Sequence, residues 1–378
     1  MALSTDELRH YSRHLLLDEV GKEGQEKLKK SKVLLIGAGG LGCPAALYLG
    51  AAGVGTLGII DFDTVDVSNL QRQIAFSYED IGHSKAEKIR ERILAANPHI
   101  AVKVYKERFS IDNARQLFDE YDVVIDGCDN FGTRYLSNDT AFFTKTPLMF
   151  GAIHKFQGQM SVFNGSADAP CYRCLFPVPP DAGSIPNCSE AGVLGVLPGV
   201  VGLVQATEAL KEILGQGQSL KGRLMIYDAM RMSFNEFKLA KNPECPLCGE
   251  NPEISELTET EILCPSQSQN ALENVEISPL ELSAKIKNGD DFVLIDVREQ
   301  YEWDICHIEG AELMPLKMIK ELSEKLAMNR DLILYCHHGS RSLSALQTLR
   351  ACGFTRLFSL SGGIAAWGDE VDVEIVQY

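Results

Sequence analysis

The segment Cys336-His337-His338-Gly339-Ser340-Arg341 packs a nucleophile, two imidazoles, a glycine and a cation into one short stretch. It lies between the apolar run LILYC and a helical pattern opening near Ser342. A loop in that setting turns its backbone N–H groups toward the sulfur at the positive end of a helix. Together with Arg341 this predicts a thiol held below its ordinary pKa and available for chemistry, as opposed to a buried, inert cysteine. Four residues separate Cys336 from Arg341, one fewer than in the Cys-x5-Arg cradle of cysteine phosphatases. A cradle of that size suits one terminal sulfur better than a phosphate, so a persulfide on Cys336 is the expected species. His337 and His338 are expected to be polar, solvent-facing residues of this loop.

Two further sets of residues have chemical spacing. Cys171-Tyr-Arg-Cys174 and Cys245-Pro-Leu-Cys248 are CxxC pairs, and four thiolates so arranged can close a tetrahedron around Zn²⁺ with no open position, giving a structural site. Gly249 follows the second pair, as a tight knuckle favours. The alternatives are two redox dithiols or four small buried residues. Gly37-Ala38-Gly39-Gly40-Leu41-Gly42 follows the run KVLLI and opens a helix, where Gly37, Gly39, Gly40 and Gly42 let the backbone approach a phosphate. Asp61 ends the next apolar run and is placed to accept a ribose hydroxyl. These features alone fit a dinucleotide fold as well as any other nucleotide fold. Arg72 and Lys85, the latter in the first turn of a helix begun at Ser84, add two cations suited to a triphosphate. Asp129, just past the run DVVID, adds a carboxylate able to hold Mg²⁺. The set favours ATP over NAD, with an NAD-dependent oxidoreductase as the rival reading.

The elements that must position these groups can be read from periodicity. Between Ser31 and Phe150 the β-rich runs KVLLIG, TLGIID and DVVIDG alternate with helical patterns, the signature of βαβ units and a doubly wound α/β sheet. A strand at Gln159–Phe163, an irregular Pro177–Pro186 stretch, a helix near Gly199–Leu214 and strands around Arg223–Lys238 are expected to extend that domain over residues 1–250. The polar, weakly periodic residues 251–275 read as a linker. Residues 276–378 read as a second, smaller α/β domain.

Composition narrows the function classes. The 378 residues carry 36 Lys+Arg against 52 Asp+Glu, a net charge of −16 that repels phosphate backbones and argues against direct nucleic-acid binding. No apolar run reaches membrane-spanning length and the first residues lack an export pattern, so a soluble cytoplasmic protein is expected. There the 11 cysteines point to metal or thiol chemistry and away from a disulfide framework.

GAGGLG, the Asp61-Phe62-Asp63 triplet, Asn69-Leu70-Gln71-Arg72-Gln73, Lys85 and Cys128-Asp129-Asn130 together resemble the MoeB/ThiF family, relatives of the ubiquitin-activating enzymes. The resemblance implies that ATP reacts with the C-terminal glycine carboxylate of a small ubiquitin-fold protein to give an acyl-adenylate and pyrophosphate. By motif position it assigns Asp61 to the ribose, Asn69, Arg72 and Lys85 to the phosphates, and Asp129 to the metal. Arg13, in Tyr11-Ser12-Arg13-His14, matches a position from which the family sends an arginine into a neighbouring subunit, which implies a homodimer. The family carries the two CxxC pairs. It also carries a cysteine at the position of Cys188, implied to release or resolve covalent sulfur or acyl intermediates.

Asp296-Val-Arg-Glu299, His307-Ile-Glu-Gly-Ala311, the Cys336 loop and Leu360-Ser-Gly-Gly-Ile-Ala-Ala-Trp367 resemble a single rhodanese domain. Cys306 stands where that family usually has glycine and reads as a simple substitution, with a second thiol close enough to the loop to matter as the alternative; Cys43, Cys128, Cys264 and Cys352 read as structural. The two halves resemble MoeB-rhodanese fusions. That arrangement implies adenylation of a carrier ending in Gly-Gly followed by sulfur delivery from Cys336, with thiosulfate or a cysteine desulfurase as donor. The implied carrier is the small subunit of molybdopterin synthase, with thiamine or tRNA-thiolation carriers as alternatives. A scaffold that binds such a carrier without activating it is a non-enzymatic rival.

Overall fold

A computed structural model describes residues 2–166, 169–180, 192–258 and 275–376. The chain divides into two compact units, one built by the described residues up to 258 apart from Pro180, the other by those from 275 onward.

In the first unit, five parallel strands, β1 (Lys32–Ile36), β2 (Thr56–Ile60), β3 (Ala101–Tyr105), β4 (Val123–Asp126) and β5 (Leu148–His154), are extended by antiparallel β6 (Gln157–Phe163), β7 (Arg223–Asp228) and β8 (Ser233–Lys238). The order is β3-β2-β1-β4-β5-β6-β7-β8. Alternation along β1 explains why both faces are covered. Val33 and Leu35 enter a core with the Gly42–Ala52, Lys85–Ala96 and Leu197–Leu214 helices, whereas Leu34 and Ile36 enter a second core with the Ile111–Glu120 and Phe131–Thr144 helices. The doubly wound sheet expected from the sequence is present. The helix expected near Gly199 starts at Leu197, with Pro198 in its first turn, where a missing N–H costs nothing. The order of connection reverses between β1 and β4, parallel neighbours in register from Val33↔Val123 to Ile36↔Asp126. This switch point leaves a crevice at the carboxyl edge.

The second unit is a parallel five-stranded sheet in the order β11-β10-β12-β13-β9, from β9 (Glu276–Ile277), β10 (Phe292–Asp296), β11 (Glu312–Leu313), β12 (Asp331–Tyr335) and β13 (Leu357–Leu360). Central β12 has Leu332, Ile333, Leu334 and Tyr335 all fully buried and delivers Cys336 at its carboxyl end. Among the described residues no helix is long and apolar enough to cross a membrane.

Candidate active sites

The glycine run is the turn between β1 and the Gly42–Ala52 helix, and sterics account for its composition. Gly37 has φ +94°, and a Cβ there would lie 2.9 Å from the Gly127 carbonyl oxygen. A Cβ on Gly42 would lie 2.0 Å from the Gly37 carbonyl oxygen, so the helix can start this close to the strand only without a side chain. Gly39 faces more open space, with Gln73 Nε2 3.8 Å from its Cβ position. Gly40 lies against Pro198 and the Arg72 side chain. Asp61, at the end of β2, accepts from the Ala38 N–H at 2.7 Å and the Asp63 N–H at 2.8 Å. Each of its oxygens keeps a lone pair for another donor. Burial pushes the Asp61 carboxyl up, opposed by those two N–H groups and by Lys85.

Lys85 does begin a helix, Lys85–Ala96, with Ser84 as N-cap. Its buried ammonium is paired with Asp63 at 2.9 Å. Arg72 is half-buried and donates to the Ser68 carbonyl at 2.9 Å. Asn69 closes a single 3₁₀ turn, Val67–Asn69, and caps it by accepting from the Asp66 N–H. Asp129 is exposed just past β4, beside the Asn130 N-cap of the Phe131–Thr144 helix. Sequence reasoning gave no separate role to Gln73, which is buried with its Oε1 atom unbonded, or to Gln205, which donates to the Asp126 and Met149 carbonyls beneath the crevice.

Arg13 is not brought to its own chain's glycine loop. It is exposed on the Ser12–Leu15 helix and lines a cavity of about 470 Å³ with His10, Tyr48 and Ala51. Tyr48 and Ala51 lie toward the carboxyl end of the Gly42–Ala52 helix, whose amino end holds the glycines, and 11 residues at 1.5 Å each make that helix about 16 Å long. Cys188 and Cys264 lie outside the described residues.

The two CxxC pairs converge although 74 residues separate Cys171 from Cys245. Their sulfurs approach at 3.3 to 3.9 Å and all lie within 4.8 Å of one another. A tetrahedron with Zn–S bonds of about 2.3 Å has edges of about 3.8 Å, whereas a disulfide needs about 2.05 Å. The donor set therefore fits a four-thiolate metal site. Gly249 seals the knuckle: a Cβ there would lie 2.4 Å from the Pro243 carbonyl oxygen, and its N–H donates to the Cys245 carbonyl. The first residues of the stretch read as a linker lie against this cluster, with the Glu253 and Ile254 N–H groups donating to the Pro246 carbonyl.

The first knuckle is anchored by Arg173, which donates through Nε and Nη2 to Asp139 at 2.8 Å each, with 5% and 1% of the two side chains exposed. Arg173→Ala leaves that carboxylate buried without its cation, and a fall in unfolding free energy of about 3–5 kcal/mol is expected by denaturant titration.

In the second unit the Ser340–Ala351 helix starts two residues earlier than expected, with Gly339 as its left-handed N-cap at φ +103°. This folds the Gly339 N–H onto Cys336 Sγ at 3.1 Å. Ser342 Oγ lies 3.8 Å from the same sulfur and is held by the Gly339 carbonyl and Ser359. The loop is braced from behind, where the Ile364 and Ala365 N–H groups donate to the Cys336 and His337 carbonyls.

Two expectations change here. Cys336 is itself buried, and His337 is buried too, not a solvent-facing filler. Burial first, then His338 and Arg298, push the His337 pKa down to about 4, so the ring is neutral at pH 7. Arg341 does not project an isolated charge at the sulfur, because both terminal nitrogens bond Glu302 at 2.7 Å. Glu302 carried no signal in the sequence, standing 39 residues away from Arg341 in a plain helical pattern. Behind the loop Arg298 and Asp296 form a fully buried pair, and Arg298 also donates to the Cys306 carbonyl. Cys306 is half-buried with its thiol directed at the Val376 carbonyl. Cys43 and Cys128 are buried, and burial pushes the Cys43 thiol up to about 12, which suits structural roles.

A switch-point crevice with a glycine turn, and a central strand delivering a cysteine to an N–H-lined loop, define a nucleotide-binding α/β enzyme joined to a thiol-based transferase. Residues 11–247 match the ThiF family and residues 278–370 the rhodanese-like domain, and the chain belongs to the ThiF family with a rhodanese-like domain following. A Mycobacterium tuberculosis protein named "Probable adenylyltransferase/sulfurtransferase MoeZ" is 45% identical over 387 residues, covering 100% of this chain and 97% of that one. "Sulfur carrier protein adenylyltransferase" of Thermus thermophilus is 48% identical over 268 residues, covering 70% of this chain and 99% of that one. "Adenylyltransferase and sulfurtransferase MOCS3" of Aedes aegypti is 35% identical, covering 100% of this chain and 90% of that one. The crystal structure of E. coli MccB with MccA-N7isoASN shares the fold at a TM-score of 0.57 and 22% identity, over 65% of this chain and 75% of that one. The chain is thus an enzyme with an adenylyltransferase half, for which ATP is the implied nucleotide, and a sulfurtransferase half.

Proposed function

We propose that this enzyme adenylates the C-terminal glycine carboxylate of a small ubiquitin-fold sulfur carrier and then replaces the AMP with sulfur carried on Cys336. The observation that carries the reading is the pairing, in one chain, of a switch-point nucleotide crevice with a cysteine held by the Gly339 N–H at a helix start. A carboxylate does not yield its oxygen to a sulfur nucleophile, whereas an acyl-adenylate offers AMP as a leaving group. Both steps in one chain raise the effective concentration of sulfur.

In the first step the glycine turn of Gly37, Gly39, Gly40 and Gly42 receives the phosphates and Asp61 the ribose. Asn69, Arg72 and Lys85 neutralise the triphosphate, joined by Arg13 from a second copy of the chain in a homodimer. Asp129 would hold Mg²⁺, which supplies charge neutralisation for the departing pyrophosphate. The carrier carboxylate attacks the α-phosphorus, the α–β bridging bond breaks and pyrophosphate leaves.

In the second step the Cys336 thiolate attacks the outer sulfur of a donor, either thiosulfate or a cysteine desulfurase persulfide. The donor's S–S bond breaks and sulfite or a thiolate leaves. The resulting persulfide attacks the acyl carbon and AMP departs, leaving an acyl disulfide on Cys336. A second thiol, assigned to Cys188, attacks the Cys336 sulfur, releases the carrier thiocarboxylate and leaves a Cys188–Cys336 disulfide for a cellular thiol to reduce.

The proposed division is adenylylation over 1–250, a linker over 251–275 and sulfur transfer over 276–378, supported by the matches at 11–247 and 278–370. The molybdopterin synthase small subunit is the favoured carrier, with thiamine and tRNA-thiolation carriers next; the name MOCS3 among the relatives fits molybdenum cofactor synthesis. A cytoplasmic location suits reduced thiols, and the described cysteines are free.

The reading is tested by product analysis: AMP and pyrophosphate should form in equal amounts, only with carrier present, and formation of ADP would exclude the mechanism. Zinc held by Cys171, Cys174, Cys245 and Cys248 pins β7 and β8 to the body of the unit. Elemental analysis after dialysis should find one zinc per chain, and a folded, metal-free protein would overturn that assignment.

A further inference from the structure

Among the described residues, two ion pairs lie beside the Cys336 loop. Arg341 and Glu302 share two bonds of 2.7 Å, with 12% and 2% of their side chains exposed. Arg298 and Asp296 are paired with neither side chain exposed. Arg298, Glu302 and Arg341 act on His337, as does the neighbouring His338. His337 adds no charge at neutral pH, its pKa lying at about 4. Within these two described pairs the charges cancel. What the loop offers a bound sulfur is then mainly backbone, the Gly339 N–H on Cys336 Sγ and the start of the Ser340–Ala351 helix.

An unpaired guanidinium at the end of such a loop would be a strong, fork-shaped ligand for an oxyanion. Glu302 occupies that fork. Its carboxyl is raised by burial but held below the ordinary range overall by the Arg341 bonds and the Glu299 N–H, so it stays ionised at neutral pH and the pair is kept. We propose that Glu302 is a positioning residue that draws the Arg341 guanidinium onto itself and cancels its charge, so that the sulfur loop discriminates against dianionic donors such as thiosulfate. The inference rests on the reading of Cys336 as the sulfur carrier. It adds a specificity determinant outside the Cys336–Arg341 loop, on the Gln300–Ile305 helix.

The test is calorimetric binding of thiosulfate to the full chain carrying Cys336→Ser, which removes turnover from the readout. Adding Glu302→Gln is expected to tighten binding by about tenfold, the size of one charge-assisted contact. The gain should vanish when Arg341→Gln is also present, because Glu302 acts through Arg341. With Cys336 intact, Glu302→Gln should lower the KM for thiosulfate with kcat changed much less, and Glu302→Asp should stay near wild type. Unchanged or weaker binding in Glu302→Gln protein that melts like wild type would overturn the proposal, as would an equal gain without Arg341. If the wild-type chain transfers no sulfur, the sulfurtransferase assignment of Cys336 fails, while the binding comparison still decides the role of Glu302.

Discussion

Cys336→Ala is expected to abolish sulfur transfer from thiosulfate to cyanide while carrier-dependent ATP–pyrophosphate exchange continues at the wild-type rate. Sulfur transfer requires a thiolate that forms and surrenders an S–S bond, and no other described cysteine sits at a strand end with an N–H directed at its sulfur. Removing a covalent nucleophile costs on the order of 10⁴-fold or more, because the remaining groups have nothing to act on. The substitution is mild for the fold: alanine keeps the backbone, and the Cys336 carbonyl can still accept from the Ile364 N–H. Equal transfer by the variant would move the chemistry to another thiol. Parallel loss of both activities, with an unchanged melting temperature, would mean the two halves are not separable as proposed. Cys188→Ala should retain the thiosulfate-to-cyanide reaction, since a resolving thiol acts only after the acyl disulfide forms.

The second large effect concerns the crevice. Arg72→Ala is expected to reduce carrier-dependent pyrophosphate exchange by about 10²–10³-fold, the range found when one preorganised contact to developing charge is removed. Asp129→Ala should do at least as much, because Asp129 is the ligand proposed for the divalent cation. Both side chains are suitable probes because little of the fold rests on them. Arg72 bonds the Ser68 carbonyl on a partly exposed loop, and Asp129 is exposed. Lys85 is a poorer probe, since its side chain is buried and truncating it would disturb the packing around it. Exchange within twofold of wild type in either variant would remove that residue from the phosphate site.

The sheet was legible because its strands are short apolar runs between helical patterns, and the glycine turn because a strand, GAGGLG and a helix can join so closely only without side chains. The zinc-type cluster was legible from two CxxC pairs, although no sequence rule states that they meet. What stayed hidden was pairing at a distance. Glu302 and Arg341 lie on separate elements with no periodic relation between them, and the commitment of Lys85 to Asp63 depends on how two loops fold. His337 was misjudged because polar loops are usually exposed, whereas this one is covered by the chain at Gly363, whose Cβ would lie 2.4 Å from the Cys336 and His337 carbonyl oxygens. Arg13 carries no local signal of the role proposed for it, and its separation from its own glycine turn becomes visible only once the Gly42–Ala52 helix is seen to lie between them.

Coupled adenylation and sulfur transfer is tested most simply by the intact mass of a carrier ending in Gly-Gly, the molybdopterin synthase small subunit first, after incubation with the enzyme, Mg-ATP, thiosulfate and a thiol reductant. The mass gain of one oxygen replaced by sulfur is expected, dependent on ATP and lost with Cys336→Ala. A carrier that gains only AMP in the presence of a competent donor, or sulfur without ATP, would contradict it.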